Sequence, residues 1–86
     1  MNWKIEFTKQ ATKQIHSLEK EVQDRIENAI KNKLLTNPDK YLIGLVAELS
    51  DLYKFRVGDY RLLCSKDGHN LLIHVIKVAH RREVYH

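Results

Sequence analysis

An 86-residue chain holds one small core, and 43% apolar with 30% charged side chains is the balance of a folded globule, not of a disordered segment. No apolar run approaches the roughly 20 residues of a membrane span, and a lone Cys64 excludes an internal disulfide and a cysteine zinc motif. The net charge of +4 favours a polyanionic partner, nucleic acid ahead of an acidic protein or a membrane surface. A single domain over residues 1–86 is expected, cytoplasmic and without a signal peptide.

Trp3-Lys4-Ile5-Glu6-Phe7 alternates apolar and polar, the period of a strand with one buried face. Thr8 then suits a helix N-cap. Ala11, Ile15, Leu18, Val22, Ile26, Ala29 and Ile30 follow at steps of three and four, an apolar stripe on helix. One helix of that length is unusual in so small a chain, so a helical hairpin breaking near residues 17–20 is expected. Asn37-Pro38-Asp39 ends it. Residues 39–51 read as an irregular crossing segment with apolar anchors. After them, Gly58-Asp59 and Asp67-Gly68 are two-residue hairpin signals, which gives strands over 52–57, 60–65 and 71–79. The order β-α-α-β-β-β predicts an α+β fold, two N-terminal helices on one face of a small antiparallel sheet.

The charge is unevenly placed. Residues 1–51 hold eight basic and eight acidic side chains, whereas 52–86 hold seven basic ones (Lys54, Arg56, Arg61, Lys66, Lys77, Arg81, Arg82) against Asp59, Asp67 and Glu83. In the first hairpin the two-residue turn pairs Val57 with Tyr60, Phe55 with Leu62 and Tyr53 with Cys64. An equally short second turn pairs Cys64 with Leu71, Leu62 with Ile73 and Tyr60 with Val75, and brings His74 near Arg61. That face is all apolar or aromatic and is the core face. The other carries Lys54 and Arg56, with Arg56 opposite Arg61. Like charges directly opposed cost a few tenths to about 1 kcal/mol. Two readings compete here: a solvated face whose cations splay apart, and a phosphate cradle built from forked guanidinium hydrogen bonds. Beyond the last strand, His80-Arg81-Arg82-Glu83-Val84-Tyr85 adds two cations, an imidazole suited to proton transfer near neutrality and a phenol able to stack on a base.

Three blocks in order, Tyr53-Lys54-Phe55-Arg56, Val57-Gly58-Asp59-Tyr60-Arg61-Leu62 and Val78-Ala79-His80-Arg81-Arg82-Glu83-Val84-Tyr85, resemble the RelE/ParE superfamily of bacterial toxins from type II toxin–antitoxin pairs, the RelE branch more than the ParE branch. The resemblance implies a ribosome-dependent endoribonuclease that cuts mRNA in the A site. Lys54 and Arg56 then fall on the family's two cationic positions of the first hairpin strand, and Arg61 on its phosphate-binding arginine. Arg81 matches the catalytic arginine, and Tyr85 the tyrosine implicated in base stacking and catalysis. RelE has Lys where this chain has Arg56 and His80. His80 therefore either joins the acid–base chemistry or ends the strand. The implied reaction is in-line attack of a 2′-hydroxyl on the adjacent phosphate, without metal or cofactor. Arg56 does not deprotonate, which leaves Lys54 or His80 as proton acceptor. The implied partners are a cognate antitoxin, the ribosome and mRNA, with no membrane and no direct DNA contact. Lys9, Lys13, Lys31 and Lys33 on the helices, with Arg82, are candidates for RNA contact, against the plainer reading of solvated faces. The rival activities are a ParE-like, non-enzymatic inhibitor of DNA gyrase and an RNA-binding module that cuts nothing.

Overall fold

Nine short elements follow one another in the computed structural model of the chain, which describes residues 3–44 and 52–80. The alternating N-terminus forms β1, Lys4–Phe7. Thr8 caps α1, Lys9–His16, its hydroxyl accepting from the Ala11 N–H at 3.1 Å. Ser17 turns its hydroxyl back onto the Gln14 carbonyl at 2.7 Å, and α2, Lys20–Ala29, begins after Glu19. The helix break therefore falls where chain length demanded one. A π-helical turn, Ile30–Leu34, extends α2. Ile26, Ile30 and Leu34 are spaced four apart, and the wider turn keeps all three buried where a 3.6-residue period would carry them round the helix. Pro38 then opens a further short helix, α3, Pro38–Tyr41, with Asn37 as its cap. At the first helical position proline loses nothing, because that N–H has no intrahelical partner.

Five strands form one sheet in the order β1-β5-β4-β3-β2, where β2 is Ile43–Gly44, β3 Tyr53–Val57, β4 Tyr60–Asp67 and β5 Leu72–His80. The expectation of an antiparallel sheet holds for four of the strands. The fifth, β1, lies parallel to β5, with Lys4 beside Leu72 and Phe7 beside Val75. The helices cover one face of this α+β fold, and Ala11, Ile26, Leu34, Phe55, Leu62, Cys64, Ile73 and Val75 pack between the layers. Burial there pushes the Cys64 thiol up to about 12, so it behaves as a small apolar side chain. No helix among the described residues is long and apolar enough to cross a membrane. The segment expected to be an irregular crossing, residues 39–51, is regular in its first part, where α3 and the two-residue edge strand Ile43–Gly44 form, and residues 45–51 lie outside the described residues.

The first hairpin has the expected register: Val57 opposite Tyr60, Arg56 opposite Arg61, Phe55 opposite Leu62 and Tyr53 opposite Cys64. Gly58 holds φ +57°, a conformation that costs a side chain roughly 1–2 kcal/mol. The second hairpin differs from expectation. Its loop is four residues long, from Asp67 opposite Leu72, so Tyr60 faces His80 rather than Val75, Cys64 faces Val75 rather than Leu71, and Leu62 faces Val78 rather than Ile73. His74 accordingly stands opposite Ser65, not near Arg61. Asp67 shapes the longer loop by accepting from the His69 and Asn70 N–H groups at 3.0 and 3.1 Å, and Leu71 closes it at φ +52°. A bulge then interrupts β5: Leu63 faces Lys77 but Cys64 faces Val75, which leaves Ile76 as the extra residue.

Candidate functional site

Side chains of paired residues share a sheet face, and the observed register sorts the cations accordingly. Phe55, Val57, Leu62, Cys64 and Val75 are buried toward the helices. The opposite face carries two rows across β3, β4 and β5. One row is Arg56, Arg61 and Ala79; the next is Lys54, Leu63 and Lys77. Directly opposed antiparallel residues have Cα atoms about 4.5–5.5 Å apart, which brings the Arg56 and Arg61 guanidinium groups within reach of one anion. Among the described residues, no carboxylate is paired with Lys54, Arg56 or Arg61. These three neighbouring cations form a patch of positive potential beside the Gly58-Asp59 turn. Arg25 of α2 reaches the same turn, its Nη1 lying 3.7 Å from the place a Cβ on Gly58 would take.

Other cations are placed elsewhere. Lys66 lies on the helix side, donating to the Asp39 Oδ1 at 2.7 Å with its ammonium 5.2 Å from the Tyr53 ring centre. The hydrogen bond to Asp39 holds its pKa above the usual lysine value, and its work is to tie α3 to the sheet. Lys9, Lys13, Lys31 and Lys33 are exposed on the helical layer, on the far side of the sheet from Arg56 and Arg61, and Lys31 pairs with Glu27 at 3.0 Å. His80 is in the Val57–Tyr60 row, its ring edge-on to Tyr60 with centroids 5.1 Å apart. Arg81, Arg82 and Tyr85 lie outside the described residues. A groove of about 370 Å³ between β1, α1 and α2 is lined largely by apolar side chains, Ile5, Phe7, Ile15, Ile26 and Leu35 among them. It holds none of the clustered cations.

Lys77 is the residue that pattern reading passed over. Plain alternation along β5 from Ile73 and Val75 assigns Lys77 to the helix side and His80 to the cationic side. The extra residue Ile76 exchanges the two. Bulges leave no composition signature of their own, so only the strand pairing reveals the exchange.

By sequence, a family model described as the ParE toxin of the type II toxin–antitoxin system parDE matches residues 5–85. No curated protein matches the chain by sequence. Among solved structures, the fold is similar to a chain of the toxin–antitoxin complex RelBE2 from Mycobacterium tuberculosis, at 25% identity and TM-score 0.87 over 94% of this chain and 100% of that one. It is likewise similar to a chain of the archaeal RelE–RelB complex from Pyrococcus horikoshii, at 28% identity and TM-score 0.77 over 98% and 100%. The intact RelBE complex of E. coli matches at 20% identity and TM-score 0.73 over 91% and 95%, a likeness of fold.

Proposed function

Because the chain belongs to the ParE toxin family, within the RelE/ParE superfamily, and is the toxin of a type II toxin–antitoxin system, we propose that it acts as a ribosome-dependent endoribonuclease on mRNA. The observation that carries this reading is the Lys54, Arg56 and Arg61 patch, none of whose cations is ion-paired with a carboxylate of the described residues. Charge gathers on the phosphoryl oxygens as a 2′-hydroxyl attacks, and preorganised donors aimed at such charge lower the barrier by about 3–4 kcal/mol each. Arg56 and Arg61 supply forked donors to those oxygens. Lys54, on the same face, is the group placed to take the 2′-hydroxyl proton, whereas His80 lies against Tyr60 on the other face. The new bond is 2′-oxygen to phosphorus and the broken one is phosphorus to 5′-oxygen. The products are a 2′,3′-cyclic phosphate and a 5′-hydroxyl. In this scheme Arg81 donates a hydrogen bond that stabilises charge on the departing 5′-oxygen, water supplies the proton that makes it a hydroxyl, and Tyr85 stacks on a neighbouring base. The partner is a cognate antitoxin, as the solved RelBE complexes are of toxin with antitoxin.

The name of the matching family favours a second reading, inhibition of DNA gyrase. Expression of the toxin in growing cells separates the two. The nuclease reading predicts new mRNA 5′ ends by primer extension, within coding regions, and no trapped DNA breaks. Broken DNA with intact message would replace it by the gyrase reading.

A further inference from the structure

The β5 bulge is a device for turning one lysine. Ile73 and Val75 are fully buried toward the helices, and an unbroken strand would send Lys77 the same way. With Ile76 inserted, Lys77 stands opposite Leu63 instead, and Val78 takes the core position opposite Leu62 at 5% exposure. Two side chains of the first helical segment hold this arrangement. The Thr8 hydroxyl donates to the Ile76 carbonyl at 2.6 Å, and the Gln14 Oε1 accepts from the Val78 N–H at 2.6 Å. The extra residue is thus tied on both sides by polar groups placed for it. Bulges beside functional sites commonly re-aim a side chain in this way.

We infer that Lys77 is a substrate-binding residue that holds a second RNA phosphate, next along the chain from the one at Arg56 and Arg61. The inference rests on the reading of RNA as substrate. Lys54 and Lys77 flank Leu63 in one row. Two strand spacings separate their backbones, about 9.5 Å, whereas Arg56 and Arg61 are one spacing apart. That spacing suits two phosphates held side by side. Leu63, half-buried between the lysines, gives a ribose or base an apolar floor. The residue types agree with the division of labour. Forked guanidinium groups stand where phosphate geometry must be controlled, and a point-charge ammonium stands where only attraction is needed.

The test is binding of a 2′-O-methyl RNA decamer, which lacks the attacking hydroxyl, measured by fluorescence anisotropy over a range of salt. Each phosphate contact contributes about 0.7 to the slope of log affinity against log salt for a single strand. Lys77→Ala is expected to lower the slope by about 0.7 and to weaken binding several-fold at low salt, Lys77→Arg to restore both, and Lys20→Ala, which removes an exposed lysine of α2, to leave the slope unchanged. Circular dichroism on each variant confirms the fold, and Lys77→Gln, which keeps the stem, replaces Lys77→Ala if that variant unfolds. An unchanged slope in the Lys77 variants, alongside a loss in Arg61→Ala, overturns the second phosphate and leaves the nuclease reading standing. Equal losses in Lys77→Ala and Lys20→Ala overturn it as well, as an effect of net charge. Absence of any decamer binding by the wild type overturns the inference, and cleavage on programmed ribosomes decides the nuclease reading separately.

Discussion

Arg56 and Arg61 oppose each other across the first hairpin, with no carboxylate among the described residues paired to either. Stability alone would favour an acid or a neutral side chain at one of the two places, as Lys66 with Asp39 shows on the other face. The like-charge pair is therefore a local cost that an anionic ligand would relieve. Arg61→Gln is expected to raise the unfolding free energy by a few tenths to about 1 kcal/mol at low ionic strength, with the gain shrinking as salt screens the pair. The same substitution is expected to lower cleavage sharply. Urea denaturation at two salt concentrations measures the first effect. A stability loss, or a gain that salt leaves unchanged, would mean that the two guanidinium groups do not repel.

The two hairpins of the sheet were unequally legible. Gly58-Asp59 is a two-residue turn with glycine at the positive-φ position, so its sequence dictates the register of β3 against β4 and hence the Arg56–Arg61 pairing. Asp67-Gly68 carries the same kind of signal, but Asp67 spends its carboxylate on the backbone of His69 and Asn70 and widens the loop to four residues. Leu71, not a glycine, takes the left-handed position there. A β-branch-rich strand such as β5 also pairs acceptably in several registers, and the Ile76 bulge depends on Thr8 and Gln14, more than 60 positions away. The parallel partnership of β1 with β5 is equally a long-range choice. Asp67 makes the loop testable. Hydrogen bonds from the Asn70 side chain and backbone hold its pKa below the ordinary carboxylate value. A carboxyl with a folded-state pKa below its unfolded one stabilises fully above the unfolded value, and the contribution is lost as pH falls through the folded value. Denaturation midpoints measured from pH 6 down to pH 2 are expected to fall more steeply in wild type than in Asp67→Ala, and equal acid limbs would remove Asp67 from the account.

The chain as a whole separates its tasks between the two sides of one sheet. The helices and the apolar residues of β3, β4 and β5 make the core on one side, and Lys54, Arg56, Arg61 and Lys77 occupy the other. The first hairpin's share of this division followed from alternation and turn chemistry. Lys77 and His80 did not, since a single inserted residue exchanges their sides. Helix lysines such as Lys9 and Lys13, conspicuous as charges in the sequence, sit on the layer facing away from the arginines. In the proposed function the hairpin cations act on an RNA phosphate in the ribosomal A site. The most direct measurement is the single-turnover rate of mRNA cleavage on programmed ribosomes by wild type, Lys54→Ala and Arg61→Ala. Discrete cleavage by wild type and a fall of about 100-fold or more in each variant are expected, with circular dichroism unchanged. Wild-type rates in both folded variants, or intact message with the wild type itself, would contradict that function.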